Sequence, residues 1–336
     1  MRFSVGWRAE KDAQFVQEIL ARKADIHEVY FSWGSFPSGR NDQTMAQGLT
    51  PWEAQARQTE DLAALSEAGI SLNVLFNANC YGSGAQSRAF FTSVGTAVEY
   101  IGTRFGLASV TTTSPLVGKF IKQNFPSLDV RASVNMGIGT PHAMEYVAEY
   151  FDSFYVQREK NRDFAALQNL RTWCDTNGKE MYLLANSGCL NDCSAHTFHD
   201  NLVAHEQEIA AMDNGYQFEG VCRKFLQNPE NRTRFLTCTN FIRPEDVGLY
   251  EGLVPAMKLA TRVHENPARI LRAYMDSRSF SGNLPTLLEP NHAGILYPYI
   301  LENNKIKAKT EDEKLVYSAE DAFIRLEDVY ADESND

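Results

Sequence analysis

Four of the six cysteines fall between positions 189 and 238, as Cys189, Cys193, Cys222 and Cys238. A disulfide scaffold would need far more for 336 residues, so the cluster points to metal or redox chemistry in a reducing compartment. Soft thiolate ligands arranged as a close pair from one turn and two distant partners suit an iron–sulfur cubane. Cys174 lies within an apolar helical pattern and suits a small buried hydrophobe instead. Cys80 follows a predicted strand end and is the alternative to one of the four ligands. Zinc is the competing metal: Cys189, Cys193, His196 and His199 would form a Cys₂His₂ set. Its spacing is tighter than ordinary structural zinc sites, and it leaves Cys222 and Cys238 unexplained.

Other polar residues gather where predicted strands end. Asn77, Asn79, Asn135, Gln157 and Asn186 are candidates for binding a polar substrate, although asparagine also favours turns for its own sake. Lys258 and Arg262 stand four apart at the end of the last predicted strand, where even spacing puts both on one face. Turned into a barrel mouth they would suit a carboxylate or phosphate, and turned outward they would be ordinary surface charges. No G-x-S-x-G or H-E-x-x-H pattern is present, so the sequence offers no marked nucleophile, base or catalytic zinc, and the catalytic residues are left open.

These residues are positioned by a regular alternation. Apolar, β-rich runs occur at 2–5, 27–33, 72–76, 108–112, 130–135, 154–157, 181–185 and 256–260. Between them, 12–21, 51–68, 92–105, 115–124, 141–150 and 162–176 carry apolar residues at three- and four-residue spacing, and 266–277 reads as a last helix. Thr50-Pro51-Trp52-Glu53 is a capping box with proline at the first helical position, and Ser114-Pro115 and Thr140-Pro141 repeat the cap and proline. Gly69 and Gly178 mark helix ends. Eight βα units without a shift in composition predict a (β/α)₈ TIM-barrel-like domain over residues 1–280, with a doubly wound sheet as the alternative. Residues 281–326 read as an extension covering one end, and 327–336 as an acidic, disordered tail.

The chain carries a net charge of −11, which argues against a surface built for nucleic acid, and 43% apolar with 22% charged residues is ordinary globular composition. No run approaches the roughly 18 apolar residues of a spanning helix, and the N-terminus lacks a secretory h-region, so a soluble cytoplasmic protein is expected.

The ensemble resembles the U32 family, historically called collagenase-like peptidases, whose better understood members are iron–sulfur proteins of oxygen-independent hydroxylation. The matching pieces are the opening strand, Ile26-His27-Glu28-Val29-Tyr30-Phe31, Ser38-Gly39-Arg40, the cysteine segment, Arg243-Pro244-Glu245-Asp246, and the stretch from Lys258 to Arg262 running into Ala273-Tyr274. The resemblance implies a barrel-like fold and a [4Fe–4S] cluster on Cys189, Cys193, Cys222 and Cys238. It also implies hydroxylation of quinone precursors, tRNA or rRNA in different branches, with prephenate as oxygen donor in some. Length and charge favour the short quinone-pathway branch and a small aromatic or isoprenoid substrate. The alternatives are an RNA-modifying hydroxylase, a peptidase, and a non-catalytic electron-transfer subunit paired with a second U32 subunit.

Overall fold

The structure is a computed structural model that describes residues 1–40, 48–319 and 321–327. Eight parallel strands close into a barrel in chain order: β1 (Arg2–Gly6), β2 (Ile26–Phe31), β3 (Ser71–Phe76), β4 (Ser109–Thr112), β5 (Asp129–Ala132), β6 (Ser153–Tyr155), β7 (Glu180–Leu184) and β8 (Ala256–Leu259), which pairs back with β1. Six helices make the first crossovers: α1 (Gln14–Ala21), α2 (Pro51–Glu67), α3 (Arg88–Phe105), α4 (Pro115–Asn124), α5 (Pro141–Glu145) and α6 (Phe164–Asn177). Between β7 and β8 the chain makes a long excursion through α7 (His196–Ala204), α8 (Glu206–Ala210), α9 (Val221–Gln227) and α10 (Pro229–Arg232). After β8, α11 (Pro267–Leu271) passes into a π-helical turn, Arg272–Ser277. The expected (β/α)₈ barrel is the fold.

Local chemistry sets these boundaries. Thr50 accepts from the Glu53 amide while Glu53 reaches back to the Thr50 amide, and Ser114 and Thr140 cap α4 and α5, contacts worth about 1 kcal/mol each. Gly178 ends α6 at φ +61°, a conformation open to glycine without strain. Two elements are shorter than expected. The fifth strand stops at Ala132 because Ser133 accepts from the Asn135 amide and starts a 3₁₀ turn, Val134–Met136. The helix expected over 141–150 ends at Glu145 and gives way to turns.

Strand alternation splits the side chains into two populations. One face of each strand feeds the core beneath the helices, with Phe3, Val29, Phe31, Val74, Phe154 and Leu183 fully or almost fully buried. The other face fills the barrel and is largely polar: Ser4, Glu28, Asn73, Arg131, Tyr155 and Lys258 are all buried. Barrels of this type usually fill their interior with branched apolar residues.

The segment after residue 280 closes over the chain. A hairpin of Lys307–Glu311 and Lys314–Ser318 places Tyr317, whose hydroxyl donates to Asp246 at 2.7 Å. Arg243 binds Asp246 at 2.8 Å and donates to the Ile306 carbonyl at 3.1 Å, so the Arg243-Pro244-Glu245-Asp246 segment serves as the dock for this extension. The acidic tail expected from 327 onward lies, beyond Glu327, outside the described residues. Among the described residues, no helix is long and apolar enough to cross a membrane.

Candidate active site at the barrel mouth

Deep in the barrel Glu28 and Arg131 form an ion pair at 2.5 Å, both about 2% exposed. Glu28 also accepts from Ser4 (3.1 Å), Asn73 (3.0 Å) and Ser109 (3.1 Å), and the Arg131 guanidinium lies 4.0 Å from the centroid of the Tyr182 ring. Burial pushes the Glu28 carboxyl up, but Arg131 foremost, with His27 and Asn73, holds it below the ordinary carboxylate range. This plug is neutral as a pair and ties β2 to β1, β3, β4 and β5.

On β8, in register with Ser4, stands Lys258. Its ammonium lies 3.9 Å from the Tyr30 ring centroid and 4.9 Å from that of Tyr155. Burial, with Arg262 next, drives its pKa down to about 7, against the pull of Glu28. Burial likewise pushes Tyr30 up to about 12, and its hydroxyl donates to the Leu259 carbonyl at 2.7 Å. Lys258 and Arg262 line one cavity together with Arg40, Arg158, Asn77 and Asn135, so both cations expected at the mouth face into it. Glu289, from the C-terminal segment, is the carboxylate on its wall, 3.8 Å from Arg40. Four cations against one carboxylate make the mouth strongly electropositive.

The strand-end amides divide by role. Asn77 accepts from Ser38 Oγ (3.2 Å) and the Gly39 amide (3.1 Å), and Arg262 donates to Ser38 at 3.0 Å. Gly39 is squeezed between two of these amides: a Cβ there would stand 2.8 Å from Asn135 Nδ2 and 3.0 Å from Asn77 Nδ2. Asn135 accepts from Arg158 at 3.0 Å, and Arg158 Nη1 lies 2.6 Å from His196 Nε2. A guanidinium only donates, so Nε2 accepts and the imidazole proton sits on Nδ1. Burial and then Arg158 lower the His196 pKa accordingly. Asp200 Oδ2 lies 3.2 Å from the same nitrogen and accepts from Asn79 at 3.3 Å, while Arg158 links His196 to Asn135. Arg158 Nε and Asn79 Oδ1 are buried without a hydrogen-bond partner among the described residues. Asn186 is different: its amide binds Ala260 N (2.6 Å), Ala260 O (3.1 Å) and Leu287 O (3.0 Å), which leaves it a clamp of the fold. Gln157 packs against Gly139, where a Cβ would lie 2.4 Å from its Oε1, and is not on the cavity wall.

The cysteine segment adjoins this mouth. Leu190 and Thr239 form an antiparallel bridge, and the Asn191 amide donates to the Cys238 carbonyl at 2.7 Å, so the loop of Cys189 and Cys193 lies against that of Cys238. Cys222, at the start of α9, has its thiol pushed up by burial and then by the charges of Cys189 and Cys193. The charge of Cys189 also reaches Arg40. All four are free, half-buried thiols. Among the described residues no three of His, Cys, Asp and Glu are placed to hold a single metal ion. Four free thiols are the donor type that a [4Fe–4S] cluster takes. His196, half of the histidine pair in a zinc set, is instead engaged by Arg158 and Asp200. Cys174 is buried, its thiol raised to about 11 by desolvation, and Cys80 lies apart from this group, hydrogen-bonded to His205.

No family model matches the chain. The curated Uncharacterized protease MJ1657 of Methanocaldococcus jannaschii is 26% identical to it over 245 residues, 68% of either chain. The solved structure of the U32 peptidase Mk0906 shares the barrel with a TM-score of 0.55 at 14% identity, covering 77% of this chain and 92% of that one. Both likenesses support the U32 resemblance, the second at the level of the fold alone. Several site residues escape pattern reading. Glu28 and Arg131 interrupt apolar runs, which was their one signal, whereas Arg40, Arg158 and Asp200 carry no motif of their own. His205 is equally unmarked, yet it pairs with Glu208 at 3.0 Å and with Cys80, so a thiol–imidazole–carboxylate grouping exists that the sequence did not offer.

Proposed function

We propose that this chain is a U32-type enzyme acting on a small anionic molecule at the barrel mouth, with a [4Fe–4S] cluster on Cys189, Cys193, Cys222 and Cys238. Its reaction would be oxygen-independent hydroxylation, or a related redox modification, of an aromatic or isoprenoid compound of the quinone type. The observation that carries this reading is the four-cation cavity beside the cysteine loops, with Arg40 within reach of both Cys189 and the cavity. When bound, the cluster supplies one-electron redox chemistry next to the substrate. The chain's own residues do the rest. Arg40, Arg262 and Lys258 attract carboxylate or phosphate, Tyr30 lends an aromatic wall, and the Arg158–Asn135 pair orients polar groups. Prephenate, a dicarboxylate, fits the charge of this mouth as co-substrate. The test is purification without oxygen, with iron, sulfide and zinc analysis. About four iron and four sulfide per chain are expected, lost on alanine substitution of any of the four cysteines and kept in Cys174→Ala. Stoichiometric zinc without iron sinks the reading. Cluster loss in Cys80→Ala with retention in Cys238→Ala would exchange one ligand.

A second reading, a thiol hydrolase, is favoured by Cys80 with His205 and Glu208, since nucleophile, base and orienting carboxylate are what such catalysis needs. His205 and the Gly82 amide hold the Cys80 thiol below its ordinary range, and a cavity lined by Phe36, Arg40, His205 and Glu208 adjoins it. The names protease and peptidase of the two similar proteins agree with it. Peptide cleavage that survives repeated purification and vanishes in Cys80→Ala would establish it.

A further inference from the structure

Lys258 is a lysine with an unusual environment for a cation. It is 8% exposed, inside the barrel, on a strand whose neighbours place Ser4 and Leu184 beside it. Among the described residues its amine has neither an ion pair nor a hydrogen bond, only the faces of Tyr30 and Tyr155. The charged groups around it are mostly of its own sign: Arg262, Arg131 and Arg40, with Glu28 the opposing charge but already bound to Arg131. A buried ammonium without a carboxylate is expensive, and the inexpensive alternative is the neutral amine. A neutral, desolvated lysine amine is a nucleophile toward carbonyl carbon.

The surroundings specify which carbonyl. A 2-oxo acid carries a carboxylate on the carbon adjacent to its ketone, and guanidiniums of Arg40, Arg158 and Arg262 share the cavity wall with the lysine. Holding the carboxylate among the guanidiniums puts the ketone toward Lys258. We propose that Lys258 forms a Schiff base with a small 2-oxo acid bound at the barrel mouth. The lone pair of Nζ attacks the ketone carbon, the carbonyl π pair becomes a hydroxyl after proton transfer from the nitrogen, and that hydroxyl leaves as water with a second proton taken from solvent, so the nitrogen keeps its remaining hydrogen. Nitrogen and carbon are left doubly bonded. One water is lost and no oxidant or reductant is needed. The resulting iminium withdraws electrons from the neighbouring carbon, which labilises its C–H or C–C bond. The proposal rests on the anionic-mouth reading above and does not require the cluster.

The experiment incubates the full-length chain with pyruvate and sodium cyanoborohydride, then maps the reduced adduct by peptide mass spectrometry, with acetone as the carbonyl that lacks a carboxylate. The expected result is one adduct, on Lys258, formed at pH 7 at least about tenfold faster than on any exposed lysine, whose ordinary pKa of about 10.4 keeps it protonated. Acetone should label far more slowly, and excess lactate should slow labelling by pyruvate. Lys258→Met and Lys258→Arg should both abolish the adduct, and the arginine variant keeps the cation and should still bind pyruvate in a thermal-shift assay. Labelling spread over exposed lysines overturns the proposal. So does pyruvate binding to the native chain without an adduct at Lys258, which leaves the anionic mouth standing, whereas neither binding nor adduct removes both readings together.

Discussion

Replacing Arg131 with methionine would strand the Glu28 carboxylate inside the barrel with hydrogen bonds from Ser4, Asn73 and Ser109 but no cation. Both members of the pair are about 2% exposed, so solvent cannot take over the missing charge. Removing one partner of such a pair costs about 3–5 kcal/mol. Asp129, the second carboxylate on Arg131 at 2.7 Å, is about one-third exposed and can hydrate, so it adds little. The pH dependence has a definite sign. In the native chain Glu28 lies below its unfolded value, so the pair's stabilisation is present above the unfolded pKa of about 4.3 and is lost as pH falls through the folded one. Without Arg131, burial dominates and the folded value rises above the unfolded one. The variant's carboxyl then takes up a proton on folding, and its penalty shrinks as pH falls from 8 to 5. Urea unfolding followed by tryptophan fluorescence and far-ultraviolet circular dichroism at both pH values measures this, with the slopes compared first. The paired variant Glu28→Gln with Arg131→Met should recover much of the loss. A deficit below about 1 kcal/mol at pH 8, against the 3–5 expected, or one that grows on acidification, would refute the reasoning.

Three further outcomes can be checked with the same protein. Asn186→Ala should lower the unfolding midpoint, because the buried Leu287 carbonyl loses its partner at about 1–3 kcal/mol, and the partly buried Ala260 amide and carbonyl lose theirs at less. Gly39→Ala should weaken binding of an anionic ligand at the mouth, measured by calorimetry, with little change in stability, since its Cβ would press on Asn77 and Asn135 rather than on the core. Iodoacetamide at pH 7 should alkylate Cys80 well before Cys174, one thiol lowered by His205 and the other raised to about 11 by burial, as followed by peptide mass spectrometry.

The fold was legible because its signals are local. Every barrel strand is a short apolar run, and Thr50, Ser114 and Thr140 each announce a helix within four residues. Lys258 and Arg262 were legible for the same reason, since their even spacing on one strand fixes a shared face. The partners of those residues were not. Arg40 meets Glu289 across most of the chain, and Asn79 meets Asp200 through 121 residues of intervening sequence. Only closure of the barrel brings such pairs together, and no periodicity encodes it. Asn186 shows the reverse: an asparagine at a strand end looks like a ligand-binding amide, yet its hydrogen-bonding capacity is spent on backbone 74 and 101 positions along the chain.

The charge arithmetic carries the argument one step further. A net charge of −11 describes a surface, and it says nothing of a pocket whose wall holds Arg40, Arg158, Lys258 and Arg262 against Glu289. Like charges confined at low dielectric repel one another, and the fold tolerates them here by two devices: Glu28 neutralises Arg131 below them, and Lys258 gives up its proton near neutrality. An arriving anion relieves the remainder, so part of that repulsion becomes binding energy for the ligand. It also changes the lysine, because a carboxylate beside the guanidiniums offsets the smaller part of the downward shift, due to Arg262 and Arg40, and leaves the larger part, due to burial. The mouth therefore couples anion capture to proton uptake, and calorimetry of anion binding in buffers of different ionisation enthalpy should register fractional proton uptake near pH 8, absent in Lys258→Met. Binding with no proton exchange in the native chain would mean that the anion sits elsewhere than beside Lys258.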